Sequence, residues 1–296
     1  MPPGDALEAT TVLLASDAMR VRFEIAIIGE DAHRLRGAGE EALEELHRVE
    51  QDLSPWNPGG DIHRLNSARP GEEVTLRPTT VAFLAEALRL HRLTQGLFDP
   101  TVGPLLRLWG LENDAPGNSP DLEAITRCLE ATGLGNHLHL DQERGCAVWT
   151  GAGARFDPGA IGKGWAIDRM ATLLRDAGIE NALIHGGTSS AYGIGGPFRI
   201  RIAGAPHETG TIELKDSALA VSAPHGKSFR KDGRQFGHVI DPRTGHPAQS
   251  ADGCAVLHSS ATDADALSTA WLIDPTAKID DPGVRFQTCW GVSKDG

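Results

Sequence analysis

Residues 154–169 read ARFDPGAIGKGWAIDR, and the fold that follows depends on how they are understood. A strand-like lead-in, three glycines (159, 162 and 164), a lysine and a helical exit suggest a phosphate-binding loop. A P-loop of the triphosphate type needs a glycine five residues before Gly162 and a Ser or Thr after Lys163. Those positions hold Asp157 and Gly164, so the triphosphate reading fails. The physics of the segment survives: a glycine-rich approach to a helix points bare backbone N–H groups at an anion. Lys163 at a helix start opposes the helix dipole unless an anion lies nearby. Asp157 reads equally as the brace of an Asx-type turn or as a ligand-binding carboxylate.

Toward the C-terminus, Ile167, Met170, Leu174 and Ala177 recur at helical spacing over 163–177, with Gly178 as the stop. NALIHGG and SSAYGI form short strands about a glycine turn, and PFRIRIAG, TIELKDSALAVS and GHVIDPRTGHP add strand and turn. A helix over 263–272, capped by Thr262, precedes a last strand near GVRFQTCWGV. Toward the N-terminus, residues 146–149 and 154–156 are strand-like. Ser119, Pro120 and Asp121 open a helix that ends near Gly133. Another helix starts at Pro78 and stops at Gly96, with Phe83, Leu84, Ala87, Leu88 and His91 on one side. DIHRLNSARPGEE reads as a short polar run. Over 31–53, Leu35, Ala38, Ala42, Leu46, Val49 and Leu53 keep the helical period, and MRVRFEIAII before them is a strand ending near Gly29. Strands and helices mix without regular βαβ alternation, which argues for an α+β fold with mixed sheets and packed helices.

The 296 residues contain no internal repeat and suit one domain over 12–296 behind a short extension, 1–11. A net charge of −12, from 28 basic and 40 acidic residues, argues against a nucleic-acid binder. It also means that an anionic ligand needs a local cation, a helix N-terminus or placed Lys and Arg residues. The cysteines at 128, 146, 254 and 289 form no C-x-x-C pair, so reduced, mostly buried thiols are expected. No basic n-region, lipid-anchor signature or apolar run of ~20 residues is evident, so the sequence as given reads as cytoplasmic, without a transmembrane segment.

Asp265 and Thr269 in SSATDADALSTAWLI stand one helical turn apart on the same face. A carboxylate with a hydroxyl offers hard oxygen ligands suited to Mg²⁺, and Ser268 could assist Thr269. The competing reading makes the aspartates simple complements of the helix dipole. His238 and Asp241 in GHVIDPRTG combine turn chemistry with a potential base oriented by a carboxylate. His137 and His139 read as a surface pair. Trp56 and the LFDP of 97–100 would supply an apolar slot and a carboxylate for a planar ring, although core packing also accounts for Phe98.

Taken in order, LSPWNPGGDIHRLN, TQGLFDPTVGPLLRLWG, FDPGAIGKGWAIDR, LIHGGTSSAYG, HVIDPRTGHP and ATDADALSTAW resemble the landmarks of the ApbE family, the flavin transferases that move FMN from FAD to a protein threonine. The resemblance runs from about Met19 to the last strand. It implies that 157–163 line a FAD site with Asp157 and Lys163 as contacts, and that the backbone at Ala160 joins Asp265 and Thr269 in holding Mg²⁺. It further implies flavin contacts at Met19, Trp56, Leu97, Phe98, Asp99 and Ile240. The implied partner is an acceptor protein with a segment of the form Asp-Gly-x-Thr-Gly/Ala-Ala-Thr, whose threonine becomes flavinylated with release of AMP. Lys163 would screen phosphate charge, and His238 or Asp241 would take the hydroxyl proton. Two departures stand out: Thr188 occupies a position where many members have Asp, and Ala223–Pro224 alter the VSAPHGKSF segment. These altered segments keep two other readings open, a FAD pyrophosphatase giving FMN and AMP, and a flavin-binding protein without turnover.

Overall fold

The first elements among the described residues form a hairpin that the sequence disguises. Strands β1 (Thr10–Ala18) and β2 (Val21–Gly29) pair antiparallel along their whole length. Met19 and Arg20 form the turn between them, both at positive φ (51° and 63°). Such two-residue turns favour Asn and Gly, and neither is present, so β1 carried no sequence signal. The expected strand started at Met19; the first strand among the described residues starts at Thr10. The computed structural model describes residues 9–111, 120–205, 210–224, 228–231 and 234–292.

Helix α1 (Ala32–Leu53) follows, capped by the Asp31 carboxylate and burying the expected stripe from Leu35 to Leu53. The polar run after it is a short helix, α2 (Asp61–Ser67). Buried Asp61 at its start accepts from the Arg77 backbone N–H (2.7 Å), the Arg77 guanidinium (2.8 Å) and Arg64 (2.6 Å). Strand β3 (Glu73–Thr75) and helix α3 (Pro78–Leu93) come next, then α4 (Gly103–Leu108) and α5 (Leu122–Leu129). The cap of α5 is Asp121, whose side chain accepts from the Ala124 N–H at 2.7 Å; Ser119, the expected cap, lies outside the described residues. Helix α6 (Leu134–His137) leads into β4 (Leu138–Asp141) and β5 (Cys146–Trp149). Residues 154–156, expected as strand, run as irregular backbone.

Helix α7 (Gly162–Asp176) precedes β6 (Asn181–Gly186), β7 (Ser190–Ile194), β8 (Phe198–Arg201), β9 (Thr211–Leu214) and β10 (Ser217–Ser222). The hairpin β11 (Ser228–Lys231) and β12 (Arg234–Gly237), strand β13 (Gly253–His258), helix α8 (Ala261–Ile273) and strand β14 (Val284–Trp290) complete the order. The N-cap of α8 is Ser260, two residues before the expected Thr262.

Seven strands form one sheet in the order β1-β2-β6-β7-β10-β13-β14, every neighbour antiparallel. Alternation sends successive side chains to opposite faces. Ile184, Tyr192, Ala218 and Ala220 pack into the main core with α1, α7 and α8. Ala191 and Leu219 face the other way and meet Ile200, Ile202 and Leu214 of the β8–β9 region. The sheet thus carries helices on one face and a two-stranded hairpin over part of the other, an α+β arrangement. Its last two strands are also linked covalently: Cys254 and Cys289 stand opposite in the β13–β14 register and form a disulfide, whereas Cys128 and Cys146 are free. The expectation of reduced thiols therefore fails for one pair. Two cysteines distant in sequence meet only through strand pairing, which spacing along the chain does not reveal.

Candidate active site

A cleft of about 1010 Å³ runs from the β1–β2 turn and the end of α1, past 97–100 and the start of α7, to the rim of the large sheet. Small-molecule pockets span about 300–1,000 Å³, so this one suits a long ligand. Met19, Trp56, Leu97, Phe98, Asp99, Asp157, Ala160, Lys163, His238, Ile240, Asp265 and Thr269 all line it.

Asp241 is not among the lining residues. Both its carboxylate oxygens bind the Arg243 guanidinium, at 2.9 to 3.2 Å, and its backbone closes the 241–246 turn. Arg243 in turn reaches Asp274. The turn reading of Asp-Pro-x-x-Gly describes Asp241, while His238 and Ile240 reach the cleft. Asp99 is buried and holds its own segment in shape, accepting from the Thr101 N–H (2.8 Å), the Thr101 hydroxyl and the Leu134 N–H (3.3 Å). Asp157 accepts from the Gly159 N–H at 2.7 Å. It is an Asx-turn brace that also lines the cleft, so its two readings are compatible.

Asp265 is the centre of the arrangement. One carboxylate oxygen accepts from the Gly164 N–H at 2.7 Å and the other from the Ser190 hydroxyl at 2.7 Å. Lys163 Nζ lies 3.9 Å from the first of these oxygens. The approach of α7 requires glycine, because a methyl at 164 would overlap the backbone of Ala261 and Thr262. Burial pushes the Asp265 carboxyl above its ordinary 3.8, and Lys163, Ser190 and the Gly164 N–H pull it back. Thr269 and Ser268 each donate to the Asp265 carbonyl, at 3.2 and 3.0 Å. Ser222 at the end of β10 bridges them, 2.8 Å from Ser268 and 3.2 Å from Thr269.

A buried carboxylate flanked by a hydroxyl and an open backbone turn is a hard-oxygen donor set, and its charge asks for a cation beyond Lys163. The residues therefore fit Mg²⁺. Sequence reasoning missed Ser190, Ser222 and Asp168. Hydroxyls within a buried strand were the available signal for Ser190, since such groups are rarely fully buried without a partner. Asp168 of α7 accepts from the Ala261 N–H, the Thr262 N–H and the hydroxyls of Ser260 and Thr262, at 2.6 to 2.9 Å. It satisfies donors that the start of α8 leaves open.

Among the described residues, one other group has the composition of a metal site: His258, Asp263 and Asp281. Arg89 supplies its positive charge, pairing closely with Asp263 and lying 3.9 Å from Asp281, while His258 meets Asp281 at 3.1 Å. That cluster reads as an ion-pair network tying α3 to α8 and the 281 turn. His137 and His139 stand apart from it, on α6 and β4.

The family model described as "ApbE family" matches residues 19–281. The chain is 30% identical over 279 residues to the FAD:protein FMN transferase of Vibrio cholerae, covering 90% of this chain and 82% of that protein. It is 30% identical over 271 residues to the protein of the same name from Treponema pallidum, covering 82% and 72%. Among solved structures, the ApbE protein of Thermotoga maritima superimposes with a TM-score of 0.81 at 28% identity, covering 89% of this chain and 87% of that one. Among the described residues, no helix is long and apolar enough to cross a membrane.

Proposed function

The chain belongs to the ApbE family, and from that premise we propose that it is a FAD:protein FMN transferase that attaches FMN to a threonine of an acceptor protein. The observation that carries this reading is the setting of Asp265, held by the Gly164 N–H and Ser190 where the glycine turn, Lys163 and the cleft converge. A pyrophosphate brings negative charge to that point, and the start of α7 with Lys163 is suited to receive it. Trp56, Leu97 and Phe98 of the same cleft offer apolar walls for ring systems.

Asp265, Thr269 and the Ala160 carbonyl would hold Mg²⁺, which would supply Lewis-acid polarisation of the phosphate oxygens. In the reaction, the threonine oxygen forms a bond to the phosphorus on the riboflavin side, the bond from that phosphorus to the bridging oxygen breaks, and AMP leaves with that oxygen. His238 is the favoured acceptor of the hydroxyl proton, because it lines the cleft while Asp241 is engaged by Arg243. Lys163 screens charge on the departing AMP.

The test is incubation with FAD and Mg²⁺, with and without a threonine-containing acceptor peptide, following AMP by chromatography and the peptide by mass. AMP together with a flavinylated peptide is the expected result. AMP in equal amounts without peptide modification would assign the site to FAD hydrolysis. Absence of AMP would leave a flavin-binding protein.

A further inference from the structure

The cleft does not end at Asp265; it crosses the rim of the large sheet. Ser190 and Ser222 point to the helix side, where they bond to Asp265, Ser268 and Thr269. Their neighbours Ala191 and Val221 point to the opposite face, with Leu219, and they line the same cleft. This outer lobe is completed by His185 of β6 and by Ile200 to Ala203 at and beyond the end of β8. One cavity thus has two arms that meet at the reacting centre, on opposite sides of the rim.

The outer arm has the features of a peptide site. Its floor is apolar, with Ala191, Leu219 and Val221 beneath and Ile200 and Ile202 alongside. Among the described residues β8 pairs only with β9, and residues of β8 line the cavity while none of β9 does. One edge of β8 is thus without a strand partner among the described residues, and β8 borders the lobe; a strand edge beside apolar side chains is what an extended peptide binds. Arg201 stands exposed at the rim, without an ion pair among the described residues. Arg199 on the same strand is by contrast paired with Glu213.

Resting on the transferase reading, we propose that the acceptor protein lays an extended segment along the free edge of β8, with an acidic residue opposite Arg201. The segment thereby delivers its threonine over the Ser189–Ser190 rim to the Lys163–Asp265 centre. FAD occupies the inner arm, so the two substrates approach from opposite faces of the sheet.

Two variants test this: Arg201→Glu, which reverses the rim charge, and Val221→Trp, which fills the floor. The probe is the acetylated peptide Asp-Gly-Ala-Thr-Gly-Ala-Thr, and FAD affinity and thermal midpoint are measured alongside. The expected result is a KM for the peptide raised about tenfold or more in each variant, with FAD affinity and kcat close to the wild type. An unchanged KM in Arg201→Glu, the variant at an exposed position, would overturn the docking site while leaving transfer intact. Loss of FAD affinity in a folded variant would assign the lobe to the dinucleotide and overturn it equally. If the wild-type protein releases AMP and never modifies the peptide, the transferase reading itself fails and the docking site falls with it.

Discussion

The hydroxyl of Ser190 donates to Asp265 Oδ1 at 2.7 Å across 75 residues of sequence, and the Gly164 N–H takes the other oxygen. The carboxylate is thus fixed from two sides by groups that themselves carry no charge. Groups that orient a metal ligand in this way are worth about 10–100-fold in metal affinity. Ser190→Ala is expected to weaken Mn²⁺ binding by about that factor, read by calorimetry on the protein without FAD. An unchanged affinity would mean that Ser190 does not govern the orientation of Asp265.

Gly164 tests the same geometry from the backbone side. A methyl there meets the carbonyl of Ala261 and the Cα of Thr262, so α7 and α8 must separate. Overpacking of this kind costs about 1–3 kcal/mol. Gly164→Ala should lower the urea midpoint accordingly and weaken Mn²⁺ binding as well, because the Gly164 N–H moves away from Asp265. A variant as stable as the wild type would show that the helices can yield without cost.

Asp61 gives the clearest pH dependence. Burial alone would raise its pKa, but the Arg77 N–H, Arg64 and the Arg77 charge outweigh burial and hold it below its ordinary 3.8. Its contribution to stability is therefore present above the unfolded value and is lost as pH falls through the lower folded one. Asp61→Asn should cost about 2 kcal/mol at neutral pH, since it removes the charge of a buried carboxylate that the half-exposed Arg64 and Arg77 bind. The gap between variant and wild type should close as the pH is taken below 3.8. A gap that is constant from pH 7 down to the acid transition, measured by denaturant titration, would contradict this assignment.

Arg20 holds a left-handed backbone (φ 63°) in the β1–β2 turn, beside Met19 at 51°. For a residue with a Cβ that conformation costs about 1–2 kcal/mol. Arg20→Gly is expected to raise stability by about 1 kcal/mol after allowing for the greater freedom of glycine in the unfolded chain. A lower melting temperature in the variant would show that the Arg20 side chain contributes more than its backbone costs.

These positions also mark what a sequence reader can and cannot see. Helices α1, α3 and α7 announced themselves because their buried faces repeat at 3.6 residues, and the Asp265–Thr269 spacing followed from the same geometry. The β1–β2 hairpin stayed hidden because Met19 and Arg20 are not turn residues by type. Helix α2 was missed because it spans only Asp61–Ser67 and starts on Gly60 without a side-chain cap. In the cleft, Lys163 and Asp157 were legible from the glycines around them. Ser190, Ser222 and Asp168 were not, because their partners lie on other elements and meet them only when the sheet and helices pack. Asp241 shows the converse: its motif offered two roles, and the nearby Arg243 decided between them.

Asp168 sets the distance between two groups that it does not touch. It lies little more than one turn beyond Lys163 on α7, and its carboxylate grips the first turn of α8 just ahead of Asp265. The two helices are therefore gauged against each other locally, although the chain between them travels through most of the large sheet before returning. Lengthening or shortening the connections within that excursion, such as the one between β8 and β9, would leave the Lys163–Asp265 separation of 3.9 Å undisturbed. The outer face of the sheet, where we place the acceptor segment, is in this sense free to vary, while the interval between Lys163 and Asp265 stays fixed.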